Sequence, residues 1–159
     1  MPVVDIVLMR HATAKPLHAG TSDKLRELTL EGHVEAASMA GLIAPALSSR
    51  TILCSSPAVR AMQTAAAISK ACGIDVTIER RLGLDSSADD VLDVIRELAS
   101  TPVVIVGHLP VVAQVAATLL DMPFPSLTMP PGAAIGLQWY GKAKGSAVLQ
   151  WMVTPALSA

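Results

Sequence analysis

Four basic side chains sit where apolar runs give way to helix-start signals. Val3-Val4-Asp5-Ile6-Val7-Leu8-Met9 ends on Arg10 and His11. Arg60 lies in Ser55-Ser56-Pro57-Ala58-Val59-Arg60, after a second apolar run, and His108 lies in Val106-Gly107-His108-Leu109-Pro110, after a later one. Guanidinium forks match phosphate oxygens in a bidentate way, and the free N–H groups of helix starts also favour an anion. Nearby positive charge disfavours an imidazolium, so a histidine among arginines is biased toward its neutral, nucleophilic form. Brought together, these groups suit phosphoryl transfer through a covalent phosphohistidine. Taken alone, Arg10-His11 also fits an ordinary strand end with two polar residues turned to water.

The elements between them decide whether they meet. Short apolar runs rich in Val, Ile and Leu read as strands buried on both faces, at Val3 to Met9, Thr51 to Ser55 and Pro102 to Gly107, with a weaker one at Asp75 to Glu79. Helices are expected between them. Thr29 caps one that reaches about Ala44, limited by Pro45. Ser56-Pro57 reads as N-cap and first position of a second, ending at Cys72-Gly73. Ser87 with Asp89 and Asp90 opens a third, with acids at the positive end of its dipole. Pro110 starts a fourth that reaches about Leu120. Residues 121–131, with four prolines, form a loop, and Gly132 to Tyr140 and Ser146 to Val153 form a hairpin around the turn at Gly141 to Gly145. Strand–helix alternation predicts an α/β fold: a three-layer α/β/α sandwich with a mainly parallel central sheet. In such sheets ligands bind beyond the carboxyl ends of the strands, where Arg10, His11, Arg60 and His108 fall.

Composition narrows the function classes. The 159 residues suit one domain, 1–159, with a real core. No apolar run approaches the ~20 residues of a membrane span. A formal net charge of −1, without a basic stripe, makes nucleic acid and anionic membranes poor partners. Phe124, Trp139, Tyr140 and Trp151 are the aromatics, too few for stacking on bases. Cys54 and Cys72 lack metal-ligand spacing and read as free thiols in a reducing cytoplasm, and no signal peptide is read at the N-terminus. No zinc or calcium spacing is found, so neither metal nor cofactor is expected. His18 reads as a loop histidine near the site's rim, and His33 as a solvated residue on a helix.

The motifs resemble those of the histidine phosphatase, or phosphoglycerate mutase-like, superfamily. Leu8-Met9-Arg10-His11 is similar to its Arg-His-Gly signature. The run Ser55 to Ala65 is similar to its second motif, and Val106 to Pro110 to its third. Leu28-Thr29-Leu30-Glu31-Gly32 also resembles the family, and the short length resembles its small SixA-type phosphohistidine phosphatases. The resemblance implies a phosphoglycerate mutase-like fold, with His11 as nucleophile. It further implies Arg10, Arg60 and Arg26 as ligands of the phosphoryl oxygens, and His108 as a further contact to the transferring group. Two departures stand out. Ala12 replaces the usual Gly, and a methyl there would crowd the backbone. Arg80 to Asp85 lacks the glutamate that larger members use as proton donor; Asp85 is nearby but reads as a loop residue.

Three readings follow. The first is a metal-independent phosphatase acting on protein phosphohistidine through phospho-His11. The second changes the substrate to a small phosphomonoester. The third is a phosphate- or phosphoprotein-binding module without turnover, which has no need of His11. Oligomeric state is not legible.

Overall fold

The computed structural model describes residues 1–98, 100–141 and 145–156. Its centre is a six-stranded sheet in the order β3-β2-β4-β1-β5-β6. The strands are β1 (Ile6–Arg10), β2 (Ile52–Ser55), β3 (Val76–Ile78), β4 (Val103–Gly107), β5 (Ala134–Trp139) and β6 (Ala147–Val153). β1, β2, β3 and β4 pair in parallel, whereas β5 is antiparallel to both β1 and β6. The α/β class and the terminal antiparallel hairpin agree with the sequence reading; residues 142–144 of its turn lie outside the described residues.

The apolar strands are continuous because both faces of the sheet are covered. Side chains alternate along a strand. Ile6 and Leu8 of β1 pack with α3 (Ala88–Glu97) and α4 (Val111–Leu120), through Val91, Ile95, Val112 and Val115. Val7 and Met9 pack on the opposite side with α1 (Leu30–Ile43) and α2 (Val59–Cys72), through Met39, Ile43, Ala61 and Ile68. This is a three-layer sandwich with β1 and β4 at its middle.

Local chemistry explains most boundaries. Thr29 Oγ1 accepts from Gly32 N at 2.9 Å and caps α1. Ser87 and Asp90 form a reciprocal capping box at α3. Gly73 closes α2 at φ 69°, a left-handed position that suits glycine. One boundary differs from the sequence reading. Ser56 does not cap α2; its hydroxyl accepts from Ala58 N at 3.1 Å in a tight turn, and the helix starts only at Val59. Cys54 is a buried free thiol, raised by burial to about 11, and Cys72 is half-buried.

Candidate active site

Arg10, His11, Arg60 and His108 converge at the carboxyl rim of the parallel strands. Adjacent parallel strands put their ends side by side: Arg10 is in register with Gly107, and Ser55 with Val106. His11 follows β1 directly and is locked in place by its backbone, its N–H donating to Gly107 O and its carbonyl accepting from Gly132 N, both at 3.0 Å. Arg60 is the second residue of α2 and His108 the residue after β4. His11, Arg60 and His108 are all buried, at 7%, 4% and 8% exposure, while Arg10 is half-buried.

Two contacts define the state of His11. Its Nδ1 lies 2.8 Å from Ala12 O. A carbonyl only accepts, so Nδ1 carries the proton and a neutral ring keeps its lone pair on Nε2. Consistent with this, Arg60 Nε donates to His11 Nε2 at 3.2 Å. Burial pushes His11 down to about 3, helped by His108, Arg60 and Arg10 and opposed by the bond to Ala12. His108 is held at about 4, again by burial first, with Arg60 adding to the effect and Asp23 opposing it. Its ring lies 5.2 Å from that of His11, and its Nε2 is 2.7 Å from Ser56 Oγ. Both histidines are thus neutral near pH 7, against guanidinium groups that stay charged.

The arginines are only partly satisfied. Arg10 Nη1 donates to Met129 O at 3.0 Å. Arg10 Nε, Arg26 Nε and His108 Nδ1 are buried without a hydrogen-bond partner among the described residues. Buried polar nitrogens are normally paired, so such a cluster marks a place for an acceptor that arrives from outside.

Asp23 is the residue that sequence reasoning missed. It begins a 3-10 turn (Asp23–Leu25) in the loop after β1. Arg60 Nη1 donates to its carbonyl oxygen at 2.7 Å, and Arg60 Nη2 to its carboxylate Oδ2 at 3.3 Å. Its other oxygen, Oδ1, lies 3.1 Å from Arg26 Nε. Arg26 therefore reaches the cluster through Asp23. No local pattern marks Asp23, an acid in a polar loop; only the folded loop brings it to Arg60.

That loop is braced from the two helices beside it, by Gln63 and Thr64 of α2 and Glu35 of α1. Gln63 Oε1 accepts from Leu28 N at 2.7 Å, and Thr64 Oγ1 accepts from Ala12 N at 3.1 Å. Glu35 holds Thr13 through its N–H at 2.9 Å and its hydroxyl at 2.8 Å. The methyl of Ala12 is fully buried with Leu28 and Ala36, absorbed into helix packing instead of crowding the loop. Asp23 and Asp85 line an open cleft of about 600 Å³ together with Lys24, Pro57 and Arg80. Asp85 is exposed, as is His18 on the same side chain-rich loop as Lys15 and Glu27. His33 is exposed on α1.

Residues 6–83, which carry Arg10, His11, Arg26 and Arg60, match the histidine phosphatase superfamily (branch 1). The chain belongs to the histidine phosphatase superfamily. Within that superfamily it is 28% identical to a Haemophilus influenzae protein named a phosphohistidine phosphatase SixA homolog, over 97% of this chain and 98% of that one. A crystal structure from Agrobacterium tumefaciens, provisionally described as phosphohistidine phosphatase SixA, superposes with a TM-score of 0.81 at 25% identity, covering 98% and 99% of the two chains. A mycobacterial glucosyl-3-phosphoglycerate phosphatase shares the fold, with a TM-score of 0.71 at 19% identity over 91% and 96%. The superfamily's phosphoglycerate mutase-like architecture is the fold described above.

Proposed function

We propose that this chain is a phosphatase that hydrolyses phosphohistidine on proteins, with His11 as the transient phosphoryl acceptor. The observation that carries the reading is the His11 ring itself: Nδ1–H is held by Ala12 O, and the Nε2 lone pair faces the Arg60 guanidinium. Arg60 Nε shifts from His11 Nε2 to a phosphoryl oxygen, the freed lone pair of Nε2 attacks phosphorus, and the bond to the leaving group breaks. Arg10, Arg26 and Arg60 take the phosphoryl oxygens, and the leaving group departs with a proton. Water then attacks phospho-His11, inorganic phosphate leaves, and His11 returns to its neutral form. When Ser56 Oγ–H donates to His108 Nε2, the ring proton sits on Nδ1, where it meets a phosphoryl oxygen.

The preference for phosphohistidine rests on leaving-group chemistry. An alkoxide needs a proton from a nearby acid. An imidazole can be protonated near neutral pH, with a reference pKa of ~6.5, and then departs as a neutral molecule. Of the three carboxylates lining the cleft, Asp23 is ion-paired to Arg60 and Arg26, Asp90 is engaged by Ser87 in the capping box of α3, and Asp85 is exposed on a loop. The expected order is phosphohistidine, then aryl phosphate, then alkyl or sugar phosphate. Free thiols at Cys54 and Cys72 suit work in a reducing compartment such as the cytoplasm.

The test is covalent trapping. Brief exposure to labelled phosphohistidine protein leaves phosphate on His11, stable to alkali and labile to acid, and His11→Ala abolishes both labelling and turnover. Labelling that survives in His11→Ala refutes the nucleophile. Sugar phosphates outrunning phosphohistidine, with a loss in Asp85→Asn confined to alkyl substrates, would favour the small-phosphomonoester reading.

A further inference from the structure

Asp23 is an odd neighbour for a phosphoryl site. A carboxylate beside the arginines that hold phosphate repels the ligand they serve, by Coulomb repulsion between like charges. Yet its contacts are specific: the carbonyl and Oδ2 engage the two terminal nitrogens of Arg60, and Oδ1 faces Arg26. They are also imperfect. The Oδ2 contact is long, at 3.3 Å, where charge-assisted bonds run ~2.7–2.9 Å. Arg26 Nε, although 3.1 Å from Oδ1, is buried without a hydrogen-bond partner among the described residues, so that pair is misaligned. Both side chains belong to one short turn three residues apart, and the Asp23 side chain is 43% exposed, able to swing outward without unpacking the core.

We infer that Asp23 is a positioning residue that substitutes for the phosphoryl anion between turnovers, holding Arg60 and Arg26 with its carboxylate and yielding them to an entering phosphoryl group. The inference rests on the phosphoryl-binding half of the function proposed above. It gives the loop a definite role. In the empty site the carboxylate keeps two like charges from repelling each other apart. After hydrolysis it competes with inorganic phosphate for the same nitrogens and promotes product release. The cost is weaker binding of every phosphorylated ligand.

The sign of that cost makes the inference testable. Asp23→Asn keeps the backbone carbonyl used by Arg60 Nη1 and removes the charge; Asp23→Ala removes the side chain. Calorimetric titration with inorganic phosphate is expected to show binding about tenfold tighter or more in both variants, as loss of one nearby like charge predicts. KM for an aryl phosphate falls, inhibition by phosphate strengthens, and kcat does not rise. A purely structural role for Asp23 moves affinity the other way, because a loosened Arg60 binds phosphate less well. Unchanged or weaker phosphate binding in both variants overturns the inference. So does a phosphate complex of the unmutated protein in which Asp23 Oδ2 remains at its present distance from Arg60. Trapping on His11 in the same proteins separates the two claims. His11 labelled with phosphate affinity unmoved leaves the phosphatase reading standing and removes this one. Tighter phosphate binding with no label on His11 does the reverse.

Discussion

At the scale of single residues, the site depends on shape as much as on charge. In the empty site Arg60 uses Nε on His11 and Nη1 and Nη2 on Asp23, so the planar fork spans three acceptors at once, the Asp23 carboxylate being the one that an entering phosphoryl group would displace. A lysine in its place keeps a positive charge but cannot span these partners. Arg60→Lys is expected to lose roughly 10²-fold or more in kcat/KM for an aryl phosphate, the scale of removing one preorganised transition-state donor. Near-normal kinetics in that variant would show that Arg60 does not touch the transferring group. The positions of Arg10, His11, Arg60 and His108 were legible in the sequence because each sits within two or three residues of a strand or helix end, and parallel pairing sends those ends to one rim. Asp23 was not, because its place depends on a loop whose path is set by distant partners, Gln63 and Thr64 on α2 and Glu35 on α1.

At the scale of elements, α1 carries the loop after β1 on a backbone contact that only glycine permits. A Cβ at Gly32 would lie 2.0 Å from the Thr13 carbonyl oxygen, which already accepts from Thr29 N at 3.0 Å. Gly41, in the same helix, would place a Cβ in open space. Alanine normally stabilises a helix interior over glycine by about 0.5–1 kcal/mol, so Gly41→Ala should raise the unfolding free energy by that amount, read as a higher urea midpoint at unchanged m. Gly32→Ala should reverse the sign, destabilising by about 1–3 kcal/mol, the usual scale for overpacking, and should also lower activity by moving Thr13 and the residues beside it. Equal effects of the two substitutions would contradict the close approach. The Thr29 cap and the Gly73 stop were legible from residue type alone. The start of α2 was not: Ser56-Pro57 carries a helix-start signature, but the serine hydroxyl turns inward to His108 and Ala58 N, and the helix begins two residues later, at Val59, with Arg60 pointing at His11.

At the scale of the molecule, the buried neutral histidines tie stability to pH. His11 is lowered to about 3 and His108 to about 4, so both rings stay neutral in the fold at pH 5, while an unfolded chain protonates them below ~6.5. Over that window the unfolded state binds more protons, so stability rises with pH and is lost as acid is added. The expected loss between pH 7 and pH 5 is about 2 kcal/mol for each histidine, read from urea midpoints. His11→Gln or His108→Gln should flatten the profile, and an unaltered slope in both would show that the rings are not buried neutral.

The same sheet order has a consequence for the birth of the protein. β1 leaves the ribosome first, yet its two neighbours are among the later strands: Ile6 pairs with Val103 on one side and with Leu137 on the other. Until most of the chain has been synthesised, its run of aliphatic side chains has neither of its proper edges to join. Such non-local pairing makes folding slow and leaves a sticky segment exposed in the nascent chain. Arg10 and His11, at the end of that strand, can therefore meet His108 only once β4 has been made, and the bonds that hold them, to Met129 O, Gly132 N and Ala133 O, form only when translation reaches β5. A chain halted before β5 carries Arg10, His11, Arg60 and His108 and should still lack the site.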